Sequence, residues 1–579
     1  MEKIETIRHS LAHIMAYAVK ELYPKAKFGI GPAVENGFYY DIEFPAPLKP
    51  EDLKKIEDKM KELLKQDIKF EKSSVSKIKA KNLFKGQPYK LELIKELPGK
   101  TVSIYESGTF TDLCKGPHVK STKEIPADGF KLTKIAGAYW KGSEKNKMLT
   151  RIYGVAFENK KELNEFLVRQ AEAEKRDHRI LGQKLDLFVF SDLVGKGLPL
   201  FTEKGATIRR ELERFIVDEE IKRGYKHVIT PDLAKVELYK KSGHYPYYKD
   251  TMYPVMKIDE EELILRPMTC PHHYQLYLSK QHSYKELPYR IAELAKQFRY
   301  EKSGELTGLI RVRCFCLADA HIIVQKESVS DEIYNVLDLI EYVASVLQLQ
   351  KGKDYRYRLS LGDRKDSKKY YKDDKAWDFA EDVLRQILKK RNAPFFEAEN
   401  EAAFYGPKID IQMKNFSGKE DTAFTIQYDF VGPKRFELTY VDKDGTKKEA
   451  IVIHRSSIGC IERIMAFLIE KYEGAFPLWL SPVQIWVIPI AQAHEKYGKE
   501  VFEKLAEAGV RAEFRNENES MGKKIREGEM QKVPYLLIIG DKEIAAESVA
   551  VRERKKGDIG MVKLNEFINQ IKNQIKNKN

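Results

Sequence analysis

The sequence predicts a multidomain protein of the α+β class, and three observations carry that reading. At 579 residues the chain is long enough for roughly four domains of about 150 residues each. Its middle is strand-rich, with a sharp two-residue period along Arg311–His321. Its C-terminal part alternates apolar strand runs (QIWVIPI, PYLLIIG, SVAVR) with helical patterns, as a small α/β domain does.

Taken in order, residues 1–157 mix helices with strands such as GFYYDIEF and TVSIYESGTF. The opening MEKIETIRHSLAHIMAYAVKELYP is an amphipathic helix with acidic residues, not a secretory signal. Residues 158–184 form a long charged helical stretch that connects domains. Residues 185–480 are the strand-rich body with inserted helices, and FPLWLSP closes it. Residues 481–579 form the α/β domain, ending in a polar, basic tail. No run of about 18 apolar residues exists, so no membrane span is expected. A net charge of +14 favours a polyanionic partner. Five cysteines, odd and sparse, argue against a disulfide framework and for a reducing cytosol.

The densest chemistry lies in KQFRYEKSGELTGLIRVRCFCLADAH, which reads as two strands joined by a Gly-containing loop. Arg311, Arg313, Phe315, Leu317, Asp319 and His321 fall on one side, with Val312, Cys314, Cys316, Ala318 and Ala320 on the other. On the first strand Arg299 and Glu301 share a face. Either this is a solvated charged face, or something anionic sits on it: arginine forks suit phosphate, a ring stacks on a base, and carboxylates accept from amines. In LRPMTCPHH an extended run puts Arg266, Met268 and Cys270 on one side. In IVIHRSSIGCIERIMAFLIEKYEG a buried strand ends at His454 and a helix follows, on which Gly459 and Arg463 share a face, the glycine leaving space for a ligand beneath the arginine.

Two groups could hold zinc. Cys270, His321 and His454 would give three ligands and one open position, although spacing alone leaves them equally readable as scattered core residues. His9 and His13, with Cys114 and His118, make an HxxxH and a CxxxH pair, either a tetrahedral site or half-buried histidines near a free thiol.

FRYE with the arginine strand resembles motif 2 of the class II aminoacyl-tRNA synthetases, GCIERI resembles motif 3, and GYKHVITPDL, with Pro231, resembles motif 1. The words RPMTCPHH, TGLIRVR, DAHI, AFYGPKID and IHRSSIGCIERI are similar to those of threonyl-tRNA synthetases, in order and over essentially the whole chain. The resemblance implies an antiparallel catalytic sheet flanked by helices, an N-terminal α+β editing domain and a C-terminal α/β anticodon-binding domain. It also implies a homodimer formed through motif 1. By it, Cys270, His321 and His454 hold one zinc ion per subunit. Arg299, Arg463 and Arg311 bind the phosphates of ATP with Mg²⁺, Phe315 stacks on adenine, and Glu301 reads its amino group. Asp319 takes the ammonium of threonine, while Tyr405, Lys408 and Gln427 complete the amino-acid and transfer sites. His9, His13, Cys114 and His118, with Lys90 and Asp112, hydrolyse mischarged seryl-tRNA without a required metal, and Tyr40 and Tyr105 hold the terminal adenosine. Asn518, Arg526, Glu543 and Arg552 read anticodon bases of tRNA(Thr).

The chain departs from the family's pattern in places. It starts at the editing pattern, which implies a form without the small ubiquitin-like domain that commonly precedes it. Leu317 and Thr422 stand where glutamine is usual, and Cys314 and Phe424 where glycine is. These departures keep open a catalytically altered RNA-binding paralogue, beside a related class II synthetase for proline or serine.

Overall fold

The computed structural model describes residues 3–143, 145–415 and 418–578. The chain divides into two compact units, Met1–Ala171 and Glu172–Asn579. The connector expected as one helical stretch is two helices, Lys160–Arg176 and His178–Lys184. Asp177 breaks them: its backbone is non-helical (φ −50°, ψ 121°), and its carboxylate accepts from the Arg179 amide as the second helix begins.

In the first unit the helix Lys3–Leu22 buries Ile7, Leu11, Ile14, Met15 and Ala18, spaced three and four apart. That stripe packs with the strand Gly37–Glu43 in one apolar core. The same helix carries His9 and His13, so its docking places both imidazoles. The strands Phe70–Ser76, Thr101–Ser107 and Phe110–Leu113 form an antiparallel sheet that delivers Asp112 and Cys114.

In the second unit, among the described residues, eight strands form the main sheet. Their order is Lys226–His227, Tyr289–Phe298, Cys314–Val324, Ile451–Cys460, Glu420–Asp429, Lys408–Lys414, Tyr355–Ser360 and Phe395–Ala398. The interior is antiparallel and only the two edge pairs run parallel. Cys316, Ala318, Ala320 and Ile322 face back into the core, as the two-residue period requires. Against that back packs the helix Val329–Val346, whose Ile333, Val336, Leu337, Ile340 and Val343 repeat at helical spacing and are fully buried.

Register aligns the front. Ile291, His321, His454, Gln427, Lys408 and Ser360 are successive partners across the sheet. Two residues along lies a second row, Glu293, Asp319, Ser456, Thr425, Asp410 and Arg358.

The second motif 2 strand begins at Cys314, so Arg311 and Arg313 precede it, and the first ends at Phe298, before Arg299 and Glu301. The strand bearing His454 does not end there but runs to Cys460. Gly459 is thus in a strand, at φ +77°, and a Cβ there would meet the Ala423 carbonyl at 2.1 Å. It makes room for a neighbouring backbone, not for a ligand.

Beyond Leu480 a five-stranded mixed sheet, counted among the described residues, places Ile485–Pro489 between parallel Ala512–Phe514 and Tyr535–Ile539. Two antiparallel strands, Ser548–Glu553 and Gly557–Lys563, extend it.

Candidate active sites

A cavity of about 490 Å³ opens on the front of the main sheet. Cys270, His321 and His454 line it, all buried, with one potential ligand atom from each lying within 4.8 Å of the others. Cys270 opens the helix Cys270–Leu278, and His273 and Tyr274, three and four residues on, share its face.

Those two neighbours set the imidazoles. His273 Nε2 lies 3.1 Å from a Glu293 carboxylate oxygen, which can only accept, so that nitrogen carries a proton. Its Nδ1 then accepts from His321 Nδ1–H at 2.8 Å, leaving the His321 Nε2 lone pair free. His454 Nε2 donates to Asp429 at 2.8 Å, a contact that the Tyr274 hydroxyl shares, so its Nδ1 lone pair is free. Burial pushes the Cys270 thiol well above its ordinary value and holds the His321 imidazole well below its own. Two imidazoles and a sulfur, each buried and each with a lone pair to offer, are the donor set of a zinc ion. That ion would also offset the cost of ionising the thiol.

The signal for His273 and Tyr274 is the helical spacing from Cys270 in CPHHY, which an extended run does not bring onto one face. In fact Arg266 turns away from the cavity. It is 2% exposed and donates to Glu293, Thr230 and the Lys296 carbonyl. Met268 does line the cavity.

Beside the trio the cavity wall holds Arg299, Glu301, Arg311, Asp319, Tyr405, Lys408 and Gln427. Arg299 lies over the Phe315 ring at 5.2 Å and donates at 3.3 Å to the Pro267 carbonyl and to Gln297. Arg463 donates to the Ile310 and Thr422 carbonyls at 3.0 and 2.6 Å. Neither guanidinium has a carboxylate at ion-pair distance among the described residues, whereas Arg311 faces Glu301 at 3.5 Å. Burial raises the pKa of Asp319, which accepts from Gln297 at 3.3 Å. Tyr405 stacks on His454 and donates to Gln427, and Lys408 reaches Asp410 at 3.2 Å.

Arg313 leaves this face, for its guanidinium lies over Tyr300 and donates to the Glu301 carbonyl. Of the four departures from the family's pattern, Leu317 lines the cavity. Phe424 is fully buried in the core behind the sheet, Thr422 offers its carbonyl to Arg463, and Cys314 opens the strand.

In the first unit His9, His13, Cys114 and His118 converge, their potential ligand atoms within 4.8 Å of one another. His9 Nδ1 donates to the Pro117 carbonyl at 3.1 Å, leaving Nε2 unprotonated and 3.3 Å from Cys114 Sγ. Ser10 gives its hydroxyl proton to the Thr6 carbonyl and so accepts from His118 Nδ1–H. His118 Nε2, also unprotonated, lies 3.4 Å from the same sulfur. Two lone pairs thus meet at one thiol, whose pKa burial pushes up to about 11, while burial depresses all three histidines.

Beneath them Asp112 lies 3.6 Å from His13, pairs with Lys90 and accepts from Tyr40 at 2.6 Å. Tyr40 is fully buried and bonded to both Lys90 and Asp112, so it supports the cluster from below and offers no surface to an adenosine. Tyr105 packs edge-on to His118 at 4.5 Å.

In the C-terminal domain Asn518 is exposed in a loop and Arg526 stands on the helix Met521–Met530. Arg552 donates to Glu529 of that helix at 3.3 Å, and Glu543 accepts from the Gly540 amide.

Residues 253–472 match the family described as tRNA synthetase class II core domain (G, H, P, S and T). Residues 484–574 match the anticodon binding domain, and residues 102–153 the threonyl and alanyl tRNA synthetase second additional domain. A threonine–tRNA ligase of Geobacillus sp. (strain WCH70) is 49% identical over 579 residues, covering 99% of this chain and 89% of that protein. One from Listeria monocytogenes serotype 4a (strain HCC23) is 51% identical over 569 residues, covering 98% and 88%. A crystal structure of the RNA binding domain of threonyl-tRNA synthetase from Cryptosporidium parvum Iowa II superposes with a TM-score of 0.65 at 33% identity, covering 69% of this chain and 98% of that one. With the buried Cys–His–His trio, Arg299 in the same cavity and this likeness along nearly its whole length, the chain belongs to the threonyl-tRNA synthetase family of class II aminoacyl-tRNA synthetases.

Proposed function

We propose that the protein joins L-threonine to tRNA(Thr) at the expense of ATP and hydrolyses Ser-tRNA(Thr) formed in error. The observation that carries this is the sharing of one cavity by Cys270, His321, His454 and the cationic Arg299. In the first step a threonine carboxylate oxygen attacks the α-phosphorus of Mg²⁺-bound ATP, and pyrophosphate leaves. Arg299, Arg463 and Arg311 would neutralise the developing charge and hold the phosphates in line, with Phe315 under adenine and Glu301 at its amino group. Asp319 would take the ammonium, and Tyr405, Gln427 and Lys408 would orient the carboxylate for attack and for transfer to the tRNA ribose hydroxyl as AMP departs.

Bound zinc supplies open coordination for an amino group and a β-hydroxyl, which valine lacks and serine shares. A methyl group in a pocket is worth only about 1–3 kcal/mol, so serine must be removed afterwards. The unprotonated Nε2 of His9 would act as general base toward water attacking the seryl ester, with Cys114 between it and His118 and with His13, Lys90 and Asp112 behind. Tyr105 stands at the edge of this site for the terminal adenosine. Asn518, Arg526, Glu543 and Arg552 would read the anticodon.

On this reading residues 1–157 edit, 158–184 connect, 185–480 activate and 481–579 bind the anticodon, in a cytosolic homodimer. The edge strand Lys226–His227 leads to Ile229, 96% exposed, with Leu233 beside it, an apolar surface suited to a second subunit. No helix among the described residues is long and apolar enough to cross a membrane.

Amino-acid-dependent pyrophosphate exchange tests the reading. Threonine should support exchange that collapses on zinc removal, serine should support less, and valine almost none. Exchange driven best by proline, or indifferent to chelation, would overturn it.

A further inference from the structure

The contact between His178 and the loop before the Cys314–Val324 strand belongs to none of the sites above. His178 is 2% exposed, and its Nδ1 lies 2.8 Å from a Glu470 carboxylate oxygen. That oxygen can only accept, so Nδ1 carries the proton and Nε2 a lone pair. Nε2 accepts from the Leu309 amide at 3.1 Å, a backbone donor of a fully buried residue. The loop is shaped to admit the ring: Gly308 sits at φ +48°, and a Cβ there would come within 2.1 Å of Nε2.

Glu470 stands seven residues, two helical turns, beyond Arg463 on the helix Ile461–Tyr472. Arg463 donates to the Ile310 carbonyl at 3.0 Å. One helix therefore grips consecutive residues of the loop, Ile310 directly and Leu309 through His178. The residue that follows is Arg311, which lines the cavity.

We infer that His178, as its Nδ1–H tautomer, is a positioning residue for the nucleotide subsite, carrying the hold of Glu470 onto the loop that presents Arg311 and braces Arg463. This rests on the reading that Arg299, Arg311 and Arg463 bind ATP. Loss of the acceptor would leave a buried amide unpaired and free the loop to shift. Threonine, held on that reading by the zinc trio and Asp319, would not sense it.

The experiment is pyrophosphate exchange by the full-length zinc-loaded protein, with KM for ATP and for threonine measured separately. His178→Leu should raise the KM for ATP about tenfold and leave that for threonine within about twofold. His178→Gln, whose amide can both accept from Leu309 and donate to Glu470, should recover most of the loss. Gly308→Ala, which pushes the loop off an intact ring, should reproduce the same split, and decides the matter if His178→Leu does not fold. Arg311→Ala is the control. If it leaves the KM for ATP unchanged, the nucleotide reading fails. If it raises that KM while the His178 and Gly308 variants do not, or if they raise both KM values equally, the positioning role fails alone.

Discussion

His321 and His273 face each other through their Nδ1 atoms at 2.8 Å, and His273 passes that contact on to Glu293. Outer partners of this kind fix the tautomer of a ligating imidazole and raise its basicity. His273→Ala should therefore weaken zinc binding about 10- to 100-fold, read by competition with a chromogenic chelator. Unchanged zinc affinity would show the relay to be mere packing.

Burial holds His9, His13 and His118 below the ordinary imidazole value of 6.5. As pH falls through that value the unfolded chain takes up protons that these folded rings refuse. Their contribution to stability is complete above about 6.5 and is lost progressively below it. Calorimetry of the full chain between pH values of about 7.5 and 5.5 should show the N-terminal unit melting earlier at the acid end, with a shallower slope in His13→Asn. A slope unaltered by that change would sink the account.

Gly459 leaves no space for a side chain between the strands Ile451–Cys460 and Glu420–Asp429, and its backbone is left-handed. Gly459→Ala should cost ~2–4 kcal/mol in denaturant unfolding, through both strain and displacement of the Ala423 carbonyl. A loss under about 0.5 kcal/mol would mean that the strands part easily there.

Replacing His9 and His13 together by alanine removes one of the two bases at Cys114 and the ring beside Asp112, with the catalytic residues untouched. Threonine charging should continue at its normal rate while Ser-tRNA(Thr) accumulates, as acid-gel separation of charged tRNA would display. Continued clearance of the seryl ester would remove the quartet from the reaction.

Much of this was legible in the chain because it depends on short-range periodicity. The alternation of Cys316, Ala318 and Ala320 with Phe315, Leu317 and Asp319 fixes a core side and a cavity side without knowledge of any partner strand. The direction of Arg266 is not legible locally, because what decides it, the buried carboxylate of Glu293, lies on another strand. A spacing of four from Arg463 suits a helix at Gly459, whereas its role depends on a carbonyl that register brings from elsewhere. His178 carries no local sign of its hold on the loop, since both its hydrogen-bond partners are more than a hundred residues away along the chain.

The row running from His321 through His454 and Gln427 to Lys408 has a consequence for how such a pocket can change. Its spacing is the pitch of the sheet, about 4.8 Å per strand, held by main-chain bonds that tolerate no gradual adjustment. Slippage comes only in whole residues, and a single step of the strand Cys314–Val324 would turn Asp319 and His321 to the far side together. Selectivity here can be retuned by exchanging what projects from each rung, while the ladder itself is free to move only by being lost.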